Sequence, residues 1–283
     1  MLAEEKNKSG DLKLGLALGG GSALGFAHLG VLKSLEENNI SIDFISGTSV
    51  GAIMAAFYAF SVPFRDIEKE SEILNWRKIA KISPSSLGIS SNANLRKLLE
   101  KYIGKKTDIE EASIPLAVVA TDIETGSKVV FRSGNAVDAI LASSSLPGLF
   151  APVEISGCML IDGGMVENVP VSVLKDSGAD IIVGVNLLKH RKYARPKNII
   201  DVLTNSFDMV NRRISDHAKQ DYVDILMEPD LSNYYMGDIT KWKEISDIGY
   251  AEAQKYISKI NELKHQPIYK DFFEKIKKLF RVK

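Results

Sequence analysis

The amino-acid sequence predicts an α/β fold with a mainly parallel central sheet covered by helices on both faces. Two observations carry this. Apolar runs too short for helices alternate along the chain with segments whose apolar residues recur at helical spacing. The runs at 14–18, 116–120 and 181–185 contain no charged residue, as expected of strands buried on both sides.

The first strand is expected at Leu12 to Leu18, ended by Gly19-Gly20-Gly21. Ser22 then occupies an N-cap position ahead of Leu24, His28, Val31, Leu32 and Leu35, and Asn38-Asn39 stops that helix. Ile42 to Ile45 predicts a second strand, running into Gly47-Thr48-Ser49-Val50-Gly51 and a helix through Tyr58. Residues 65–110 read as polar helices interrupted by a loop at Ser83 to Asn94. Pro115 to Thr121 and Lys128 to Arg132 flank Glu124-Thr125-Gly126, the spacing of a hairpin. A helix at Ala136 to Ser145 ends at Pro147-Gly148. Met159 to Ile161 is a strand leading into Asp162-Gly163-Gly164. A strand at Ile181 to Asn186, helices over 198–219, a strand at Tyr222 to Met227 and helix from about 241 complete the chain. No linker divides it, so the expected organisation is a flexible tail at 1–12, one domain at 13–263 and a terminal helix at 264–283.

Composition narrows the function. The 283 residues carry 36 basic and 36 acidic side chains, a balance that argues against nucleic acid as a partner. Cys158 is the sole cysteine, so no internal disulfide forms, and with four scattered histidines no metal site is expected. No cofactor is implied either. The N-terminus, MLAEEKNKSGD, lacks the apolar core of a signal peptide. Phe44 to Phe64 is uncharged over 21 residues, long enough to span a bilayer. Its early glycines and serines make it a strand, a turn and a buried helix instead, and a cytoplasmic location is expected.

Gly47-Thr48-Ser49-Val50-Gly51 matches G-x-S-x-G between a strand and a helix. Such a turn forces the serine into a strained conformation and lifts its hydroxyl beside the helix N-terminus, where developing negative charge is favoured. A plain glycine-serine turn is the alternative. Gly19-Gly20-Gly21 exposes backbone N–H groups, which suits an oxyanion hole or a phosphate cradle. A dinucleotide fingerprint fits poorly, since the spacing is G-x-G-x-x-x-G and Asp43 precedes the second strand. The NTPase phosphate loop fails for want of a following Gly-Lys-Ser or Gly-Lys-Thr.

A serine hydroxyl needs a base. His190, His217 and His265 lie downstream, with His190 best placed among them, while His28 sits on the first helix as a packing residue. Asp162 is the stronger candidate, at a strand end and followed by two glycines, although an Asp-Gly turn would look the same.

The set LALGGGSALGFAHLGVLKSLEE, GTSVGA, VVATDIETGSKVVF, ASSSLPGLFAPV, IDGGMVENVPV and GADIIVGVN, in this order, resembles the patatin-like phospholipases, in particular small bacterial members related to the neuropathy-target-esterase catalytic domain. The resemblance implies a three-layer α/β/α fold and a Ser–Asp dyad without histidine. It assigns Ser49 as nucleophile, Asp162 as general base and the N–H groups near Gly20, Gly21 and Ser22 as oxyanion hole. Gly19, Gly25, Gly47, Gly51, Gly163 and Gly164 support these motifs. The implied activity is hydrolysis of lipid carboxylic esters through an acyl-enzyme. A silent acyl-chain-binding protein and an acyltransferase using the same serine stay open beside it. Two positions depart from the family pattern: Ser22 replaces a glycine, and Leu24 stands where a basic residue is usual. The acyl groove is expected between the Ala142 to Pro152 region and the 65–110 segment. From Lys264 to Lys283, seven basic residues oppose two acidic ones, and Phe272, Phe273, Ile276 and Phe280 share a helical face. That helix suits either docking on the domain or peripheral contact with an anionic membrane, its inner face included.

Overall fold

A computed structural model describes residues 12–73, 81–85, 87–190, 192–193, 195–218, 222–235 and 237–265. The tail at 1–11 and the terminal helix expected beyond His265 lie outside the described residues. Lys264 itself closes the last described helix and donates to Ser41 Oγ (2.6 Å), tying that helix to the domain.

The strands are β1 (Leu14–Leu18), β2 (Phe44–Thr48), β3 (Lys81–Ser85), β4 (Gly88–Ser91), β5 (Leu116–Asp122), β6 (Lys128–Phe131), β7 (Val153–Ile155), β8 (Cys158–Asp162), β9 (Ile181–Val185) and β10 (Ile225–Met227). The α-helices are α1 (Phe26–Glu37), α2 (Val50–Ala59), α3 (Phe64–Ile73), α4 (Ala93–Tyr102), α5 (Ala136–Ser143), α6 (Val171–Asp176), α7 (Ile199–Ala218), α8 (Trp242–Gln254) and α9 (Ile257–Lys264). The main sheet runs β10-β9-β1-β2-β5-β8-β7, with β6 also paired to β5. The pairs from β10 to β5 are parallel, whereas β6 and β8 run antiparallel to β5, as β7 does to β8.

The period-2 alternation of a strand explains why helices cover both faces. Leu14, Leu16 and Leu18 of β1 pack into the large core with α1, α2 and α8, while Ala17 between them packs with Val171 and Leu174 of α6 on the other face. Strand β9 repeats this, with Ile181, Val183 and Val185 on the first side and Ile182 on the second. The three-layer α/β/α fold is therefore as expected. The uncharged run from Phe44 to Phe64 is indeed strand β2 and the largely buried α2. Among the described residues no helix is long and apolar enough to cross a membrane.

Three local expectations are corrected. The loop expected at Ser83 to Asn94 overlaps the antiparallel hairpin β3–β4, which begins at Lys81 and whose serine-rich strands lack the apolar alternation that would have announced them. Strand β7 was not foreseen, and it makes the far edge of the sheet antiparallel. Ser22 is not an N-cap. Its φ of 50° is left-handed, whereas capping needs extended backbone, and the chain passes through a 3-10 turn at Ser22–Gly25 before α1 begins uncapped by any side chain.

Candidate active site

The site forms where the parallel strands end. Ser49 follows the last residue of β2 and precedes the first of α2, with φ 56° and ψ −128°. A non-glycine residue in that region is strained, and the surroundings must hold it there. They do so by close backbone approach. A Cβ on Gly51 would lie 2.0 Å from the Leu18 carbonyl oxygen, and one on Gly47 would lie 2.4 Å from that of Gly51. Neither glycine can be replaced without opening the turn. Hydrogen bonds complete the clamp: Ser49 N–H donates to Ser143 Oγ (2.9 Å), which donates to the Val119 carbonyl (2.6 Å).

Asp162 ends β8. The register aligns Thr48 with Val119 on β5, and Asp162 with the next residue, Ala120. Ser49 and Asp162 thus emerge at the same height of the sheet, with β5 between them. Asp162 is 1% exposed. Its Oδ1 accepts the Gly164 N–H (2.8 Å), and Thr121 Oγ1 donates to its carbonyl (2.9 Å). Burial drives its pKa up to about 7, and the Asp208 carboxylate adds to the rise. The Ser49 hydroxyl and the Gly164 amide oppose it. The serine is therefore close enough to favour the carboxylate, yet no well-formed hydrogen bond reaches Oδ2, which is buried without a partner among the described residues. Such contacts commonly tighten only when substrate binds.

The glycine loop lies against Ser49. A Cβ on Gly20 would sit 3.2 Å from Ser49 Cβ and 2.8 Å from Asn168 Oδ1, so only glycine passes there. The Gly20 N–H donates to the Asn168 carbonyl (3.3 Å), which takes it away from the expected oxyanion role. The Gly21 N–H has no acceptor among the described residues. Val50, first in α2, offers a second amide with no acceptor inside its helix. His28 is fully buried, and its Nε2–H donates to the Gly19 carbonyl (2.7 Å). Burial lowers its pKa to about 4, so at neutral pH it is an uncharged strut under the loop. His190 and His265 are exposed, and no histidine is among the described residues lining the cavity at Ser49.

Leu24 is fully buried in the core and does not line the cavity. A cation here would have no solvent. Leu24→Arg is therefore expected to lower the thermal midpoint sharply, because an unpaired buried charge costs several kcal/mol. An unchanged midpoint together with faster cleavage of a phosphate-bearing ester would reverse this reading.

The cavity opening at Ser49 encloses about 180 Å³, many times the room one water needs. Most of its lining is apolar: Ile53 and Phe57 of α2, Ile67 of α3, Leu95 and Leu98 of α4, with Glu70 and Ser71 of α3 and Tyr102 of α4 beside them. Leu146, Leu149 and Phe150 line it from the segment after α5. Both regions expected to border an acyl groove are thus present. Sequence reasoning missed Phe207, Asp208 and Asn211 of α7, which also line it. The signal was available in the polar spacing of Asp208, Asn211 and Ser215, but nothing local says that this face turns inward.

Fold and site together define a class: α/β proteins of the hydrolase type, with a serine on a strand–turn–helix elbow at the end of an apolar cavity. The chain belongs to the patatin-like phospholipase family, a family of carboxylic ester hydrolases, which it matches over residues 16–175. It is 30% identical over 281 residues to lysophospholipase nte1 of Neurospora crassa, and 28% identical over 276 to lysophospholipase NTE1 of Scheffersomyces stipitis. These alignments cover 88% and 87% of the chain but 18% of each relative, so the chain spans about a fifth of their length. The fold is shared with VipD from Legionella pneumophila, with a TM-score of 0.59 at 14% identity, covering 88% of this chain and 67% of that one.

Proposed function

We propose that the chain hydrolyses carboxylic esters of lipids, with Ser49 as nucleophile and Asp162 as general base. The observation that carries this is a strained serine beside a buried carboxylate of raised pKa, at the end of an apolar cavity. The acyl chain enters between α2 and α4, which brings the ester carbonyl to Ser49 Oγ. Asp162 takes the hydroxyl proton as Oγ attacks, and the tetrahedral oxyanion is met by the amides of Gly21 and Val50. The intermediate collapses, the alcohol leaves with the proton held by Asp162, and the serine is left acylated. Asp162 gives that proton to the departing alkoxide, then takes one from water as its oxygen attacks the acyl carbon; the second intermediate breaks its bond to Ser49 Oγ, which recovers the proton from Asp162, and the fatty acid leaves. A carboxylate is an effective base here because its pKa lies near the working pH instead of near 4. The lysophospholipase relatives support a lipid substrate. Leu24, standing where a basic residue is usual, spends its side chain in the core and does not line the cavity.

A fluorophosphonate probe tests the reading. Stoichiometric labelling should map to the peptide carrying Ser49, and a folded protein that takes up no label would sink it. Substrate of this kind sits in aggregates, and we assign membrane contact to the basic aromatic segment 264–283. Truncation after Gln266 is expected to weaken flotation with anionic vesicles at low salt, each lost basic residue contributing about 1 kcal/mol. Short soluble esters should be turned over as before. Equal flotation of both proteins would leave the segment as a docked structural helix.

A further inference from the structure

Helix α7 inverts the usual amphipathic arrangement. Asp208, Asn211 and Ser215 are buried, while Ile199, Ile200, Val202, Met209 and Val210 are 39% to 62% exposed. Ile199, Val202, Ser206, Met209 and Arg213 recur at alternating steps of three and four residues, so they form one exposed stripe along the helix. A contiguous apolar face left open to water marks an interaction surface.

The surroundings of this face say what it meets. The chain reaches α7 from β9 along the edge of the sheet that carries Ser49, and on the way Leu187 packs on Gly21, where a Cβ would lie 2.9 Å from Leu187 Cδ1. Residues 189–197 then hold five basic side chains and no acidic one, and Lys192, Arg195 and Lys197 are exposed. Two acids border them. Asp201 accepts the Lys197 N–H (2.8 Å) and the Asn198 side-chain amide (3.2 Å), and Asp230 lies near His190 and Lys192. Leu203 packs on Gly148, where a Cβ would lie 3.1 Å from Leu203 Cδ1, within the segment whose Leu146, Leu149 and Phe150 line the cavity. That segment also pairs with β4 through Phe150 and Ser90, and Leu87 in the β3–β4 turn is exposed. One wall of the cavity is thus continuous with an exposed apolar face that has cations beside it.

The geometry points to a lipid-docking surface, made of the outer face of α7 and the basic segment 189–197, that seats this wall of the cavity on an anionic bilayer. The choice of a lipid occupant rests on the ester-hydrolase reading, and the surface is separate from the segment 264–283. Apolar side chains of α7 enter the acyl boundary while Lys192, Arg195 and Lys197 meet headgroup phosphates. Charge selects this occupant over two others. A second copy in a two-fold contact would set the same cations against each other. The segment 264–283, with seven basic residues and two acidic ones, would be repelled as well. Docking here lets an acyl chain move from bilayer to cavity between apolar surroundings.

A polarity-sensitive fluorophore on single cysteines reads the contact in the full chain. In a Cys158→Ser background, Ile199→Cys and Val202→Cys are labelled, with Asp176→Cys as the control. Asp176 ends α6 ahead of β9, at the sheet edge opposite Ser49. On vesicles of phosphatidylcholine and phosphatidylglycerol at low salt, the label at positions 199 and 202 should shift to the blue and brighten at least about twofold, and the label at 176 should not change. Arg195→Gln with Lys197→Gln should raise the lipid concentration of the half-maximal change about 25-fold, the loss of two surface cations. Labels at 199 and 202 that stay unshifted overturn the surface, whether or not the protein floats with the vesicles. A response of the same size on pure phosphatidylcholine overturns it too. So does a blue shift without vesicles that grows with protein concentration, which would give the face to a second copy. The readout needs no turnover. A shift in a protein that cleaves no ester upholds the surface and counts against hydrolysis alone, whereas cleavage of soluble esters without a shift removes the surface and leaves hydrolysis standing.

Discussion

Ser49→Ala is expected to lower kcat on a short-chain ester by about 10⁶-fold, to the level of the uncatalysed reaction plus what binding alone supplies. The size of the effect follows from the division of labour at the site. The Asp162 carboxylate and the loop amides have nothing to act on once the hydroxyl is gone, so their contributions vanish with it. Alanine keeps the Cβ and loses only the hydroxyl, and the N–H bond to Ser143 is a backbone bond that survives. Thermal unfolding should therefore match the parent, and relief of the side chain at φ 56° is no gain because alanine is strained there too. Activity within tenfold of the parent, after contaminating esterases are excluded, would remove Ser49 from the mechanism.

Asp162→Asn is expected to cost about 10⁴-fold in kcat, because asparagine keeps the shape and accepts no proton. The same carboxylate sets the pH dependence. Its pKa is about 7 in the folded protein, and the reaction needs the charged form. In the parent, kcat/KM should fall about tenfold per pH unit below 7 and level off above it. Stability should move the other way. The folded state holds this proton more tightly than the unfolded chain, whose aspartate titrates near 4. Stability is therefore lost as pH rises from about 4 to about 7, and that loss persists above 7. Asp162→Asn escapes it, so at pH 8 the variant should unfold at a temperature no lower than the parent. A pH profile centred near 6.5 and abolished in His190→Ala or His217→Ala would replace the carboxylate with a histidine base.

Much of this site was legible in the residues themselves. A strand-to-helix turn that must let Gly47 and Gly51 pack backbone against backbone can hardly be written otherwise than with small residues around its serine. An uncharged five-residue run such as 14–18 can hardly be other than a strand covered on both faces. These are local statements, and local sequence encodes them because burial and backbone conformation are decided within a few residues. The Ser22 cap failed because the loop's left-handed φ at that residue is imposed by the glycine turn packed against Ser49 and Leu187, not by the residues next to it. The β3–β4 hairpin escaped because its strands carry serines where alternation should be.

What the sequence determined about this protein on its own is therefore the elbow, the glycine loop, the buried strands and the order in which they occur. Tertiary structure alone decided that Asp162, more than a hundred residues from Ser49, stands at the same level of the sheet with one strand between them. It decided that the Gly20 amide is spent on Asn168, and that Leu24 faces the core. It also turned the polar face of α7 inward. The physical reason is common to all four. Periodicity specifies which side of an element is buried or polar, but not which distant group it meets. That is settled by strand register and layer packing over the whole domain, and the raised pKa of Asp162 is the chemical product of that packing.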